Sequence, residues 1–306
     1  MSRPVVLGLD LGGTDLKAAL VGSDGLIERF VRLPSRVAES ADAPYEAMRE
    51  AATRLVAPGE RIAAVGLGSP GVIDPVDGRL RGGTPHLPHW QERPLAADLR
   101  RLFGAPVAVD NDANAAALAE QRVGVARDSR LAVMLTLGTG IGCGIVIDGR
   151  PLRGAHGGAG ELGHVPLGRR GVPCRCGVVD CVEPEASGSG LARAARERGL
   201  GQLDAAGVFA RAVAGDAVAR ELVSGFIDRL AAVVGTVVNV LNPDVVVIGG
   251  GVSNAGDALF TPLRATLDRY ALATHRVGLR LAPPMLGERA GSVGAGLLGW
   301  DALSGG

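Results

Sequence analysis

The segment LGGTDLKAALVGSDG (11–25) returns, with a short gap, as LGTGIGCGIVIDG (137–149). In each copy a Gly/Thr turn opens onto an apolar, strand-like run that closes at Asp-Gly, a pair that favours hairpin turns. Two such hairpins, one per half of a 306-residue chain, constrain the fold more than any other feature. They predict a duplicated α/β core with two lobes and a cleft between the lobes. The length suits two domains of roughly 100–200 residues each. A composition led by alanine, valine, leucine and glycine, with 3% aromatics, suits helices packed closely on sheets.

Strand-like runs occupy 5–11, 16–21 and 26–33, and a helical pattern follows at 42–57. A strand at 62–68 leads into a Pro/Gly-rich loop reaching about residue 93, then a helix at 94–104 and a buried strand at 105–110. Helix resumes in NAAALAEQRVG, and a strand pair follows at 131–138 and 141–149. Beyond a cysteine-rich loop come three helical stretches, of which the last, about 217–241, is apolar on more than one side and therefore expected in a core. A strand at 243–251, a helix at 255–270 and a final helix complete the pattern. The lobes are expected at 1–113 and 114–291, with the helix at about 292–306 packing back on the first.

Acidic and basic residues number 32 each, so no electrostatic case exists for a nucleic-acid partner. No unbroken apolar run reaches membrane-spanning length, and MSRPVVLGLD enters a strand without a signal core, so the cytoplasm is the expected compartment. Lys17 is the single lysine.

Three glycine turns follow strands: DLGGT with Asp10, Gly12, Gly13 and Thr14, LGTGIG at 137–142, and IGGGVS at 248–253. Glycine lets backbone N–H groups approach phosphate oxygens, threonine adds a donor, and a carboxylate at a strand end can hold Mg²⁺. One such turn is equally an ordinary hairpin. Three together point to a nucleotide, although none fits the P-loop or the dinucleotide-binding fingerprint. In DNDANAAALAE (110–120) a buried strand delivers polar residues to the head of an alanine-rich helix. Asp112 or Asn114 can be a helix cap there. Alternatively, Asp112 serves as a general base toward a substrate hydroxyl while Asn111 binds a neighbouring one.

In GELGHVPLGRRGVPCRCGVVDCVE (160–183), His164, Cys174, Cys176 and Cys181 form a His-x9-Cys-x-Cys-x4-Cys array. Such a set suits structural zinc in tetrahedral coordination, and cytosolic thiols stay reduced, which disfavours a disulfide. Cys143, on a strand, reads as a buried thiol. Glu161 and Glu183 flank the array closely, so the metal would fix two carboxylates and orient the second ring nitrogen of His164 outward, a set able to bind sugar hydroxyls.

The ordered set GELGH, CRCG, DCVE and SGSGLA (187–192), with DLGGT, GSPG (68–71) and NDANAAALAE, resembles the ROK family of sugar kinases and related repressors, over essentially the whole chain. The resemblance implies the two-lobed actin/hexokinase-like (ribonuclease H-like) fold and an ATP-dependent hexose kinase of glucokinase type, usually a homodimer. Position by position, it implies that Asp112 deprotonates the sugar 6-hydroxyl. Asn111, Glu161, His164 and Glu183 would hold other hydroxyls, with Gly71 and Thr84 closing the site. Asp10, Gly12, Gly13 and Thr14 would face the γ-phosphate and Mg²⁺, Gly138 and Thr139 would form the second phosphate loop, and Gly249, Gly250 and Gly251 would lie near adenosine. N-acetylglucosamine and N-acetylmannosamine are alternative acceptors. A repressor would need a DNA-binding segment ahead of the first strand, for which there is no room, and a non-catalytic sugar-binding protein is a third reading. The chain departs from the family in two places. Asp15 stands where relatives often carry lysine, so Lys17, on the same strand face, is a candidate partner of Asp15. His86-Leu-Pro-His89-Trp90 replaces a common Asn-Leu-Pro-Gly-Trp, both histidines being expected on an exposed loop unless they alter sugar preference.

Overall fold

The computed structural model describes residues 2–82, 84, 86–168 and 172–305. In chain order come β1 (Arg3–Leu11), β2 (Asp15–Val21), β3 (Ile27–Pro34), α1 (Ala43–Leu55) and β4 (Glu60–Ser69). Short strands β5 (Val72–Ile73) and β6 (Leu80–Arg81) precede α2 (Leu95–Phe103), β7 (Val107–Asn111) and α3 (Asp112–Arg122). Next are β8 (Leu131–Leu137), β9 (Ile141–Ile147), β10 (Arg150–Pro151), α4 (Glu183–Ala186), α5 (Gly188–Glu197), α6 (Ala205–Val213) and α7 (Ala217–Leu241). The chain ends with β11 (Val245–Gly249), α8 (Asp257–Leu267), α9 (Ala273–Arg276), β12 (Arg280–Ala282) and α10 (Ala290–Leu303). The strand at 243–251 is shorter than its apolar run suggested: residues Gly251–Ala255 form a 3₁₀ turn, and α8 starts only at Asp257. The short elements β12 and α9 carry too few apolar residues in register to be read from sequence.

The chain forms two compact units, one of residues 1–127, 144–159 and 288–306, the other of residues 128–143 and 160–287. A boundary at 113/114 would cut α3 after its second residue; the helix instead stays whole in the first unit, which also takes back 144–159. The sheet orders are β3-β2-β1-β4-β7 and β10-β9-β8-β11-β12. In the first, β1 pairs antiparallel with β2 and parallel with β4; in the second, β8 and β11 are parallel, as are β11 and β12. The same order of a three-strand meander and two parallel strands occurs twice, which is the duplication the two hairpins announced.

Alternation along the strands decides what covers each face of the first sheet. Leu7, Leu9, Val65 and Leu67 join Met48, Leu95 and Leu99 in a buried cluster with α1 and α2. The intervening Gly8 and Gly66 face α10, which lies so close that a Cβ on Gly66 would be 1.6 Å from Ala295 O. On its other side α10 meets α3 equally tightly, a Cβ on Gly294 falling 1.7 Å from Ala115 O. The far end of α10 is tied down by Trp300 Nε1 donating to Val21 O (2.9 Å) and by a two-pronged Arg122–Asp301 pair at 2.8 Å.

In the second unit α7 is the central helix. It is long and apolar enough to cross a membrane by length and composition, yet Phe226, Leu230, Val233, Val234, Val237 and Val238 are buried within the unit. Phe226 meets Phe209 of α6 edge-on at 5.9 Å.

Backbone atoms cannot yield to an added methyl as a flexible side chain can. Gly66→Ala is therefore expected to cost at least about 3 kcal/mol. Gly225→Ala, in mid-α7 with nothing within 4 Å of its Cβ position, should stabilise by about 0.5–1 kcal/mol through helix propensity. Urea unfolding of both variants reads the opposite signs.

Candidate active site

The parallel strands of the first unit bring their C-terminal ends to one row: Asp10 pairs with Gly68, and Gly68 with Asp110. Ligands of open α/β sheets gather at such ends. Asp10 lies directly opposite Lys17 of β2, and Lys17 Nζ comes to 3.7 Å from Asp10 Oδ2. The sequence had offered Asp15 as the lysine's partner. Asp15 instead turns to Arg32 at 2.6 Å, and Arg32 also reaches Glu288 at 3.3 Å. Between Asp10 and β2 the turn Gly12–Gly13–Thr14 is closed by Gly12 N donating to Asp15 O (2.8 Å), with Gly13 and Thr14 exposed.

The head of α3 is built by its own residues. Its cap is Asn111, not Asp112 or Asn114: Asn111 Oδ1 accepts from Ala113 N (2.9 Å) and Asn114 N (3.3 Å). An extended residue at the strand–helix junction can fold its side chain back over the first amides, whereas Asp112 and Asn114 already belong to the helix. Asn111 Nδ2 donates to Gly71 O at 3.1 Å. Gly71 has φ 96°, open to glycine, and a Cβ there would strike Leu80 at 2.6 Å and approach Thr84 at 3.5 Å. The structure thus gathers Gly71, Thr84, Asn111 and Asp112 in one unit.

Asp110 is buried and fully engaged. One oxygen accepts from Asn111 N (2.8 Å) and Asn114 Nδ2 (2.9 Å), the other from Arg153 Nε and Nη2 (both 2.8 Å). Arg153 was not foreseen; it lies 43 residues away in sequence, and no local pattern marks it. Among the described residues Asp112 has no such guanidinium partner. Burial pushes its carboxyl above the usual range, against the pull of the Ala113 amide and His86. Burial also raises Asp10, to about 6, with Lys17 opposing and Asp112 reinforcing the shift. His86 is exposed, but it is not remote: a Cβ on Gly13 would be 3.5 Å from its Nδ1. Leu87 and Trp90 are buried, Trp90 Nε1 donates to Ala41 O (2.7 Å), and His89 Nε2 lies 3.1 Å from Ala38 O, so the loop is anchored beyond His86.

In the second unit His164, Cys174, Cys176 and Cys181 place one ligand atom each within 4.8 Å of one another. The Cys174–Cys176 and Cys176–Cys181 sulfurs are 3.4 and 3.5 Å apart, and His164 Nδ1 is 3.7 Å from Cys174 Sγ. Tetrahedral bonds of about 2.3 Å to zinc would put sulfurs ~3.8 Å apart, so the set fits. Burial, reinforced by Cys176 and Cys174, pushes the Cys181 thiol up to about 12. All four cysteines are free thiols. His164 Nε2 faces Glu161 at 3.8 Å, so the outward nitrogen already has a carboxylate beside it. Cys143 is buried with its thiol raised to about 12, as suits a packing residue.

Glu183, two residues after the last cysteine, accepts from Ile141 N at 2.9 Å, beside the second glycine turn. That turn exposes Gly138 and Thr139. Gly249 is buried at the end of β11, while Gly250 and Gly251 are exposed. Gly250 (φ 80°) presses on Leu137, its Cβ position 2.3 Å from Leu137 O. The second and third glycine turns are therefore neighbours.

Known proteins match nearly the whole chain. The ROK family profile matches residues 6–301. A glucokinase of Thermotoga maritima is 35% identical over 309 residues, covering 96% of this chain and 97% of that protein. An N-acetylmannosamine kinase of Salmonella typhi is 36% identical over 296 residues, covering 95% and 97%. The crystal structure of a ROK family glucokinase from Streptomyces griseus, in complex with glucose and AMPPNP, superimposes with a TM-score of 0.83 at 30% identity, covering 97% of this chain and 99% of that one.

Because the folded-state value of Asp10, about 6, exceeds its ordinary 3.8, the folded protein binds this proton more tightly than the unfolded chain. Its contribution favours folding at pH 4 and is lost as pH rises through 6. Asp10→Asn should then stabilise the ligand-free protein at pH 8 by about 1–3 kcal/mol, with the gain vanishing near pH 4. Urea titrations at several pH values check the sign.

Proposed function

Since the chain belongs to the ROK family, we propose that it is an ATP-dependent hexose kinase that phosphorylates the sugar 6-hydroxyl, with glucose the first acceptor. The observation that carries this reading is Asp112: a carboxyl at the head of α3 pushed above the usual range by burial, with no ion pair among the described residues, while nearby Asp110 is locked by Arg153. A base must be free to take a proton, and raising its pKa toward the working pH improves it.

In this reading Asp112 takes the proton of the 6-hydroxyl as the oxygen attacks the γ-phosphorus and the bond from phosphorus to the ADP leaving oxygen breaks. Asn111 keeps a donor hydrogen on Nδ2 for a neighbouring hydroxyl, and Gly71 and Thr84 border that hydroxyl. Glu161, His164 and Glu183 bind the remaining hydroxyls. Gly12, Gly13 and Thr14 receive the γ-phosphate, Gly138 and Thr139 the inner phosphates, and Gly249 to Gly251 the adenosine. Asp10 would hold Mg²⁺, which supplies charge neutralisation for the transferred group. Burial of an ionisable Asp10 beside Asp112 is what a bound cation relieves. His164, Cys174, Cys176 and Cys181 would hold zinc as a structural ion, since four protein ligands leave no open position for water. The reading also includes a homodimer working in the cytoplasm on a small sugar, without nucleic acid or membrane.

A second acceptor class has its own support. N-acetylmannosamine kinases match as well as glucokinases by identity, and His86 stands near Asp112 and Gly13. ADP release with Mg-ATP against glucose, mannose, fructose, N-acetylglucosamine and N-acetylmannosamine separates the two. Glucose preference is expected; preference for an N-acetyl sugar selects the second, and silence on all five sugars rejects kinase activity.

Asp112→Asn should retain the fold and sugar binding while turnover drops about 10²- to 10⁴-fold, the scale of a general base. Undiminished turnover removes Asp112 from that role. Stripping zinc should weaken glucose binding tenfold or more, on the order of the loss that follows disturbance of a metal-ordered shell. A metal-free protein that binds glucose at full affinity would show that the metal does not order Glu161 and Glu183.

A further inference from the structure

The SGSG segment at the start of α5 has no part in the mechanism above, yet it is packed onto the second glycine turn. Gly188 makes the approach feasible: a Cβ there would be 2.9 Å from Gly138 O and 3.1 Å from Val252. Ser189 then makes two hydrogen bonds to the turn. Its N–H donates to Gly138 O at 3.2 Å, and its hydroxyl donates to Thr139 O at 2.5 Å. Ser187, buried, caps the helix by accepting from Gly190 N at 3.1 Å, and so fixes where Ser189 stands.

The consequence follows from peptide geometry. Among the described residues no peptide bond is cis, and in a trans peptide the carbonyl and the following N–H point in opposite directions. With the carbonyls of Gly138 and Thr139 both drawn to Ser189, the N–H groups of Thr139 and Gly140 point away from it. Among the described residues, neither N–H is taken by a protein acceptor, whereas the next amide, of Ile141, is bound by Glu183. Two adjacent N–H groups aimed the same way form an anion-binding concavity, and Glu183 limits it to the end nearer Gly138.

We propose that Ser189 is a positioning residue for the nucleotide phosphates, holding both carbonyls of the second glycine turn so that the Thr139 and Gly140 amides face an anion. This rests on the reading of that turn as a phosphate loop. Ser189 itself touches no phosphate. The hydroxyl and the amide act as a brace behind the turn.

The test is calorimetric titration of the intact, zinc-loaded protein with adenosine, with Mg-ADP and with glucose. The wild type is expected to bind ADP more tightly than adenosine. Ser189→Ala should weaken ADP binding about threefold to tenfold, the scale of one hydrogen bond, and leave adenosine and glucose affinity unchanged. Ser189→Thr, which keeps hydroxyl and amide, should restore ADP binding. Gly188→Ala, which pushes on the same carbonyl without removing a polar group, should reproduce the phosphate-selective loss. An unaltered ADP-to-adenosine ratio in both Ser189→Ala and Gly188→Ala overturns the proposal, as does an equal loss for adenosine and ADP, which would mark general damage. A wild type that binds adenosine and ADP alike would overturn the phosphate role of the turn itself, and Ser189's role with it; that result is read on the unmutated protein and is therefore distinct.

Discussion

The first unit depends on how closely α10 approaches its sheet. With Gly66 against Ala295 O and Gly294 against Ala115 O, the helix lies at backbone distance from β4 on one side and α3 on the other. No side chain fills those gaps, so no side chain can adjust them. The same approach sets the chemistry. Near its start α10 passes Asp10 so tightly that a Cβ on Gly291 would be 2.4 Å from the carboxyl carbon. Water is thereby kept from one side of Asp10, and loss of solvent is the first cause of its raised pKa. A helix contributed by the last residues of the chain therefore tunes a carboxylate contributed by the first.

Three aspartates near the strand ends illustrate how burial is managed differently within a few ångströms. Asp110 is satisfied by a guanidinium, an amide side chain and a backbone N–H, the partners a buried polar group needs. That makes it a fixed post from which β7 hands the chain to α3. Asp112 stands beyond it at the head of α3, where the neighbouring amide, Ala113 N, donates to it at 2.9 Å. Asp10 has a single distant ammonium. The locked carboxylate holds geometry, and the two under-satisfied ones retain capacity for a proton and a cation. The arrangement separates structural from chemical duty among residues of one type.

Features of local origin were legible in the sequence. The glycine turns, the polar head of α3 and the His/Cys array each lie within a short segment, and turn chemistry and ligand spacing are local properties. The duplicated hairpins also foretold the repeated sheet order. What escaped depends on tertiary register. Arg153 reaches Asp110 only because 144–159 rejoins the first unit, which no boundary drawn at 113 would suggest. Glycine is ambiguous besides: Gly12 and Gly138 signal turns, while Gly66, Gly188 and Gly294 permit close packing, and the letter is the same. The SGSG segment showed its purpose only once its carbonyl partners were known. The cap went to Asn111 because capping depends on which residue is extended at the junction, a matter of one position that sequence does not resolve.

The same dependence on register explains the departure at Asp15. Side chains along a strand alternate between faces, so a lysine displaced by two positions stays on its original face, whereas a shift by one would remove it to the other. Lys17 is two positions beyond Asp15 and lies directly opposite Asp10 in the β1–β2 ladder, where an ammonium meets the carboxylate. The acidic residue left at 15 would repel Asp10 if it pointed there unpaired. Arg32, which sits opposite Lys17 on β3, draws Asp15 the other way and holds it well below the usual carboxylate range. Lysine, aspartate and arginine thus form a compensated set in which positive charge beside Asp10 is preserved. Asp15 is thereby engaged away from Asp10, and Lys17 keeps a positive charge beside the proposed cation site.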